Sequence, residues 1–472
     1  MNYILSFCII LLTIAFLLLG ANLPFDWYLL PVVLGGMISL YKVLNLLKTI
    51  DYLRNADFYV WIVLFLGAFV APLIHFSRDA WISHVYILPS NWNTLALITS
   101  AILLYGMFVF IFLEQIKYRP LYQKKEWSFK KNAKYLIIFL MIISFVLQTV
   151  YYIRAGGIFG VIQKFTDRDG GFEGMGLYFI VSEMFPYLLL LLYFVICKEK
   201  KTSFLNVSIF LAIMFLSALY FGGLRGSRSN TVLTMFQAVL LIHFTIYHFK
   251  KRHFIIMVAL FFLFMIVGRI YKTHGADFVH NVHEFTDYQI NTEMSGIESI
   301  IIADLTRYND LSYLIFMLDN NPFYKPKLGS TYLAAVLTFM PFGIPIRDHF
   351  ELTARSEAAS QLMFDFDGIQ RSEIRRNSRI FGFVGEMMLN FGVFSFLFAF
   401  FFLHFLLKWV KRWSDSISVQ DARFYFISLL PIMVISLINL DSNNVVFFIV
   451  KRIVLMYVII WFITNKTKIK LQ

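Results

Sequence analysis

Cysteine is nearly absent. The 472 residues hold two, Cys8 and Cys197, both in apolar runs. They give no disulfide framework and no cysteine metal site. Charge is scarce as well: 15% of the residues are charged, where a soluble domain carries roughly a quarter. The chain has no Walker loop, no dinucleotide fingerprint and no nucleophile elbow. It has no His-Glu-x-x-His either. His280, His283 and Glu284 come nearest to a metal-binding group, and without that pattern or cysteine support no metal and no cofactor are expected. There is no low-complexity tract, no repeat of fixed short period and no obvious inverted repeat. These absences exclude disorder, a coiled coil and a soluble enzyme with one polar surface.

Hydrophobic residues fill the space, at 59% of the chain with 54 phenylalanines. Many apolar runs reach ~18 residues, enough to cross a ~30 Å hydrocarbon core at ~1.5 Å per residue. The expectation is an all-α polytopic membrane protein, with residues 1–472 forming a single integral domain. Twelve candidate spans lie near residues 3–20, 26–47, 59–75, 93–116, 133–153, 175–197, 204–222, 230–248, 253–270, 380–407, 424–440 and 444–464. Spans three and seven are short, so an eleven-helix arrangement also fits. The first run lacks a basic n-region and further spans follow it, which reads as an uncleaved helix.

Orientation follows from lysine and arginine. The short segments after even-numbered spans are strongly basic, including Lys117 to Lys134, Lys198 to Lys201, Lys250 to Arg252, Lys408 to Arg423 and Lys466 to Lys470. They are expected in the cytoplasm, with both termini. The other side then carries short loops and one long loop, 271–379, between spans nine and ten. By side, the cytoplasmic segments hold 17 Lys and 5 Arg, and the outer segments 4 Lys and 13 Arg. The net charge of +13 divides into +15 cytoplasmic, −3 outer and +1 within spans. The total is thus a topology signal, and no nucleic-acid partner is expected. Arginine on the outer side is informative, because its planar fork grips phosphate or carboxylate bidentately. Pairing with the outer acids is the alternative for any single arginine.

Three segments have chemical potential. The first is Gly222-Gly223-Leu224-Arg225-Gly226-Ser227-Arg228-Ser229-Asn230, at the outer end of span seven. Its glycines allow close backbone approach, and Ser227, Ser229 and Asn230 suit an N-cap. Arg225 and Arg228 then stand beside a helix N-terminus that already favours an anion. A tight turn with its arginines at the headgroup level is the other reading. The second is Arg371 to Arg379, where an early helix would stack Arg371, Arg375 and Arg379 on one face. It binds an anion or forms a basic collar. Glu386 follows inside span ten, and intramembrane carboxylates usually face a bundle interior or a cavity. Glu386 either meets the site or pairs with an arginine. Glu183, Lys451 and Arg452 are similar cases and fit an internal ion-pair network. The third is the long loop, with 10 basic and 14 acidic residues. Its stretch from Leu328 to His349 has glycines and prolines spaced for a re-entrant or interfacial element, or for an ordinary surface loop. His274, His280, His283, His349, Glu284, Glu293 and Asp304 all offer a general base, and no spacing singles one out. Nucleoside triphosphates are absent on that side, so an enzyme there needs a substrate with its own activated bond.

The motifs together resemble the Wzy-type O-antigen and capsule repeat-unit polymerases. The likeness rests on Gly-Leu-Arg225-Gly-Ser-Arg228 after a mid-chain span, on Gly329-Ser330-Thr331-Tyr332…Pro345-Ile346-Arg347 in the long loop, and on Gly382-Phe383-Val384-Gly385-Glu386…Asn390-Phe391-Gly392. It covers roughly Ala218 to Phe394 by motif and the whole chain by topology. In relatives the proline often adjoins the last loop arginine; here Ile346 intervenes, which weakens the case for Arg347. The resemblance implies a glycosyltransferase C-like membrane fold in the bacterial inner membrane, working without a metal. It implies glycosyl transfer at the outer face, from a chain on undecaprenyl pyrophosphate to a fresh repeat unit on the same lipid. A chain-length regulator and a flippase are its implied partners, beside membrane lipid. With no divalent ion, guanidinium groups and helix N-termini must carry the leaving pyrophosphate's charge. Arg225, Arg228, Arg376 and Arg379 are the first candidates, then Arg307 and Arg347. Asp304, His283 and His349 are candidates for the base that takes the acceptor's proton, with Gly226 and Glu386 as supporting residues. A glycan ligase using the same donor, or a lipid-linked oligosaccharide flippase or other transporter, are the competing readings.

Overall fold

The computed structural model describes residues 29–49, 51–78, 92–116, 125–167, 176–198, 202–225, 228–274, 310–321, 324–340, 343–354, 357–359, 361–362 and 381–468. The principal helices are α1 (Leu29–Leu46), α2 (Ala56–Ile74), α3 (Trp92–Glu114), α4 (Ala133–Arg154), α5 (Gly157–Asp167), α6 (Tyr178–Cys197), α7 (Phe204–Phe221) and α8 (Arg228–Thr245). They continue with α9 (Lys251–His274), α10 (Asp310–Asp319), α11 (Ser330–Thr338), α12 (Gly343–His349), α13 (Gly382–Phe391), α14 (Val393–Asp415), α15 (Leu430–Asn439) and α16 (Ser442–Ile463). Among the described residues, eight helices are long and apolar enough to cross a membrane, and three shorter apolar helices (Ile98–Glu114, Asn230–Thr245, Leu430–Asn439) coincide with further expected spans. The chain is a polytopic, helical membrane protein. The first expected span, 3–20, lies outside the described residues.

Two expectations change in detail. The run 380–407 is not one helix. It breaks at Gly392, whose φ of +87° lies in the left-handed region, so α13 ends there and the crossing helix is α14. The all-α fold also carries a short ribbon. A short antiparallel ribbon pairs β1 (Lys125–Phe129) with β2 (Thr464–Lys468), from Lys125 opposite Lys468 to Phe129 opposite Thr464.

Contacts group the chain into two compact units. The first comprises Met1–Pro120, Ile301–Trp413 and Leu430–Ile449, the second Leu121–Ile300, Ser414–Leu429 and Val450–Gln472. In the first, α1 packs on α2 and α3. Gly35 and Gly36 permit this, because a side chain at either position would press on Ala68 or Phe69 of α2; such close backbone approach is how membrane helices associate. Lys42 of α1 bonds Glu114 of α3 at 2.5 Å, and Lys411 of α14 pairs with Asp57 of α2. Part of the expected outer loop is packed helix: in α10, Tyr313, Leu314 and Met317 are buried, and Ser312 bonds Thr99 of α3 at 2.5 Å.

In the second unit α4 packs on α6 and α7 on α8, with Phe185 stacked on Phe221 at 4.4 Å. Several of its basic segments are bonded to one another. The ribbon joins the stretch after α3 to the stretch after α16. The Trp127 carbonyl of β1 accepts from Ala422 N at 2.8 Å, and Arg423 donates to Asp421 at 2.6 Å and to Lys125 O at 2.8 Å. Lys198 donates to Gln420 O. Both Arg423 and Lys466 lie 5.2 Å from the Trp127 ring, within reach of a cation–π contact.

Candidate functional site

The first polar centre belongs to the second unit and begins with the α7–α8 turn. Helix α7 opens with the Ser203 hydroxyl capping Asn206 N at 3.3 Å and stops at Gly222. A 3-10 turn, Gly223–Arg225, follows, and α8 opens at Arg228. Gly223 has no room for a side chain: a Cβ there would come within 2.9 Å of both Thr231 Oγ1 and Leu219 Cδ2. That close approach folds the turn onto the first turn of α8. A Cβ on Gly222 would lie 3.4 Å from Asn230 Nδ2 and 3.9 Å from the Glu183 carboxyl carbon. Arg225 therefore ends the turn and Arg228 starts the helix. Gly226 and Ser227 lie outside the described residues.

Asn230 is not the cap that its residue type suggested. It sits inside the first turn of α8 and links two charged groups. Its side-chain NH2 donates to Glu183 Oε2 at 3.3 Å. Its Oδ1 accepts from Arg452, and its backbone carbonyl accepts from Arg452 Nη2 at 3.4 Å. Glu183 of α6 also forms a salt bridge with Lys451. The Arg452 guanidinium lies 5.1 Å from the Tyr187 ring, and the Tyr187 hydroxyl is 3.4 Å from Asn230 Oδ1 and 3.2 Å from Thr234 Oγ1. Glu183, Lys451 and Arg452 are 8%, 5% and 3% exposed, which matters because buried ions are costly unless paired and hydrogen-bonded. Lys451 and Arg452 are adjacent in sequence, and the ordinary turn of α16 widens into a π-turn over Ile449–Val454. Such widened turns recur at functional positions, and here both cations are buried.

The second centre belongs to the first unit and is built on Glu386 of α13, which is 1% exposed. Its Oε1 accepts from Thr331 Oγ1 at 2.7 Å and from Ser442 Oγ at 2.5 Å; its Oε2 accepts from Ser442 N at 2.6 Å. Asp441 caps α16 by accepting from Asn444 N at 2.9 Å. Glu386 thus adds a second carboxylate at the same helix start, where free N–H groups and the dipole favour one. Asn390, one turn on, donates to Thr331 Oγ1 at 2.7 Å and accepts from Gly329 N at 2.9 Å. Leu328 N bonds Asn390 O at 2.8 Å, and the Tyr324 hydroxyl bonds Leu389 O at 2.7 Å. The segment 324–331 is therefore held to α13 along its length. Burial, and then the Glu386 charge, push the Tyr332 phenol well above its usual range; burial does the same to Tyr324. Both stay protonated at any physiological pH.

Of the other expected residues, Arg347 of α12 is 3.3 Å from Asp348 and 3.6 Å from Glu357, acids of its own segment. His349 is exposed and meets Phe350 edge-on at 5.1 Å. His283, Asp304, Arg307, Arg376 and Arg379 lie outside the described residues. Among the described residues no group of three or more His, Cys, Asp or Glu side chains is placed to hold a metal. Residue types alone did not single out Thr331, Asn390 and Ser442 around Glu386, or Asn230 and Tyr187 around Arg452. The one local signal was the i, i+4 spacing of Glu386 and Asn390.

These features define an integral membrane protein with a carboxylate-centred polar cluster in each unit. Comparison of the chain with family models, with curated proteins and with solved structures finds no match.

Proposed function

We propose that the protein polymerises undecaprenyl-pyrophosphate-linked oligosaccharide repeat units into O-antigen or capsular polysaccharide. The reaction runs at the outer face of a bacterial inner membrane, in a glycosyltransferase C-like chain of about twelve spans with both termini cytoplasmic. A hydroxyl of the incoming unit attacks the anomeric carbon of the donor chain. The new glycosidic bond forms as the bond to the pyrophosphate oxygen breaks. Undecaprenyl pyrophosphate departs with the bonding pair, and the hydroxyl proton passes to a base, for which Asp304, His283 and His349 are the candidates. The leaving group's charge grows in the transition state, so preorganised cations stabilise it.

One observation carries this reading: the Gly223–Arg225 turn and the first turn of α8 bring Arg225 and Arg228 onto the chain segment that binds Arg452 and Glu183. A helix N-terminus beside the buried Lys451 and Arg452 suits a diphosphate. The bonding of several basic segments to one another in the second unit supports the proposed orientation. Arg307, Arg347, Arg376 and Arg379 are further candidate ligands from the long outer segment, which is proposed to receive the glycan. A chain-length regulator and a flippase are the proposed partners.

The test is a deletion strain. Single repeat units on the outer-face lipid with no long chains are expected, and a normal ladder of chain lengths sinks the proposal. Long polymer left on undecaprenyl pyrophosphate would instead mark a ligase, and units trapped in the cytoplasmic leaflet a flippase. Arg225→Ala and Arg228→Ala should each abolish the ladder while the protein still inserts. Full activity in both removes the pyrophosphate site from this turn.

A further inference from the structure

The Glu183 cluster does more than tie three helices together. Its carboxylate accepts from the Lys451 ammonium and from the side-chain amide of Asn230, in the first turn of α8. Arg452 grips the oxygens of the same asparagine. Cationic and N–H donors converging on one oxyanion beside a helix N-terminus is how proteins hold phosphate. A lysine and an arginine at the positive end of a helix dipole are a poor arrangement for stability alone, since cations are favoured at the opposite end. Both cations lie in a π-turn, a departure from the regular helix. Gly222, which opens the turn that carries Arg225, lies beside this carboxylate: a Cβ built on it would be 3.9 Å from the carboxyl carbon.

We propose that Glu183 is a built-in stand-in for the ligand: its carboxylate occupies a diphosphate-binding position in the ligand-free protein, and an arriving diphosphate displaces it, taking over Lys451 and Arg452. This rests on reading the α7–α8 turn as the pyrophosphate site, and adds two binding residues from α16 and one competing group from α6. The exchange is ionic and leaves every covalent bond intact. Its consequence is regulatory. Glu183 offsets one of the two cations while the site is empty, and a monoanion gains less from it than a diphosphate, which brings enough charge to replace the carboxylate.

The experiment uses the full chain in lipid nanodiscs and measures binding of inorganic pyrophosphate and of undecaprenyl pyrophosphate at fixed ionic strength. Removing the competitor with Glu183→Gln should tighten pyrophosphate binding roughly tenfold, the effect of one charge-assisted contact. Unchanged or weaker binding in a variant with the wild-type unfolding profile overturns the proposal. The double variant Glu183→Gln with Lys451→Gln keeps the pair balanced and guards against misfolding of the single one. It also loses a ligand, so binding about tenfold weaker than in Glu183→Gln, and hence near wild type, is expected, and affinity equal to that of Glu183→Gln overturns the proposal. Chain-length ladders are scored separately. Tighter binding in Glu183→Gln with no polymer made by wild type leaves the exchange standing and removes the polymerase reading. A wild-type ladder with no response to Glu183→Gln does the reverse.

Discussion

In each unit a carboxylate is buried beside the start of a helix, and the two are satisfied in opposite ways. Glu386 is met by two hydroxyls and a backbone N–H. Glu183 is met by an ammonium and an amide, with a guanidinium on the same asparagine. The first arrangement joins three stretches of chain through short hydrogen bonds from neutral donors, and acts as a lock. It clasps α13 to the start of α16 and to the 324–331 segment. Cations retain a strong preference for multiply charged anions, so the second arrangement is the one proposed to exchange. One carboxylate is held by neutral donors, and the other by a cation and an amide.

Substitutions can break or sharpen that distinction. The largest effect is expected at the ion pair. Glu183→Ala leaves Lys451 buried without its carboxylate and should cost about 3–5 kcal/mol in thermal or denaturant unfolding, while Glu183→Met with Lys451→Met together should recover most of it. Failure of the double substitution to recover stability would show that the pair is not the unit of interaction. Glu386→Ala strands three donors and should cost about 3 kcal/mol, and no second substitution at a cation rescues it. Next comes Gly382→Ala: its φ of +71° and a Cβ 2.7 Å from Ile438 O predict a loss of about 2 kcal/mol. Asn390→Ala should cost about 1–2 kcal/mol by freeing Gly329 N and Thr331. The smallest effect is at Arg347→Ala. Its pairs with Asp348 and Glu357 are solvent-facing, so stability should move by less than about 1 kcal/mol. If polymer length nonetheless collapses in that variant, Arg347 touches substrate.

Much of the fold is readable from the residues. The apolar runs mark the helices, and the lysine-rich segments include stretches that the ribbon and the Arg423 bonds join. The break in the 380–407 run was hidden, since a lone glycine in an apolar stretch gives no sign of adopting a φ of +87°. The centres were half legible. A Glu, a Lys and an Arg stranded in apolar runs are conspicuous, and an ion-pair network was a natural reading of them. Their partners were not legible, because Glu183 and Lys451 are 268 residues apart and no periodicity encodes a contact over that distance. Glu386 shows the same limit. An arginine was one expected partner, whereas the described structure supplies Thr331 and Ser442, residue types too common in sequence to be singled out.

The proposed chemistry requires that this chain alone join lipid-linked repeat units without a nucleotide. The most direct measurement is reconstitution of the purified protein in liposomes with a synthetic undecaprenyl-pyrophosphate repeat unit and no nucleoside triphosphate, followed by separation of the products by size. A ladder of longer chains is expected, with one undecaprenyl pyrophosphate released for each unit added. Repeat units recovered unchanged from wild-type protein that is folded and correctly inserted would contradict it.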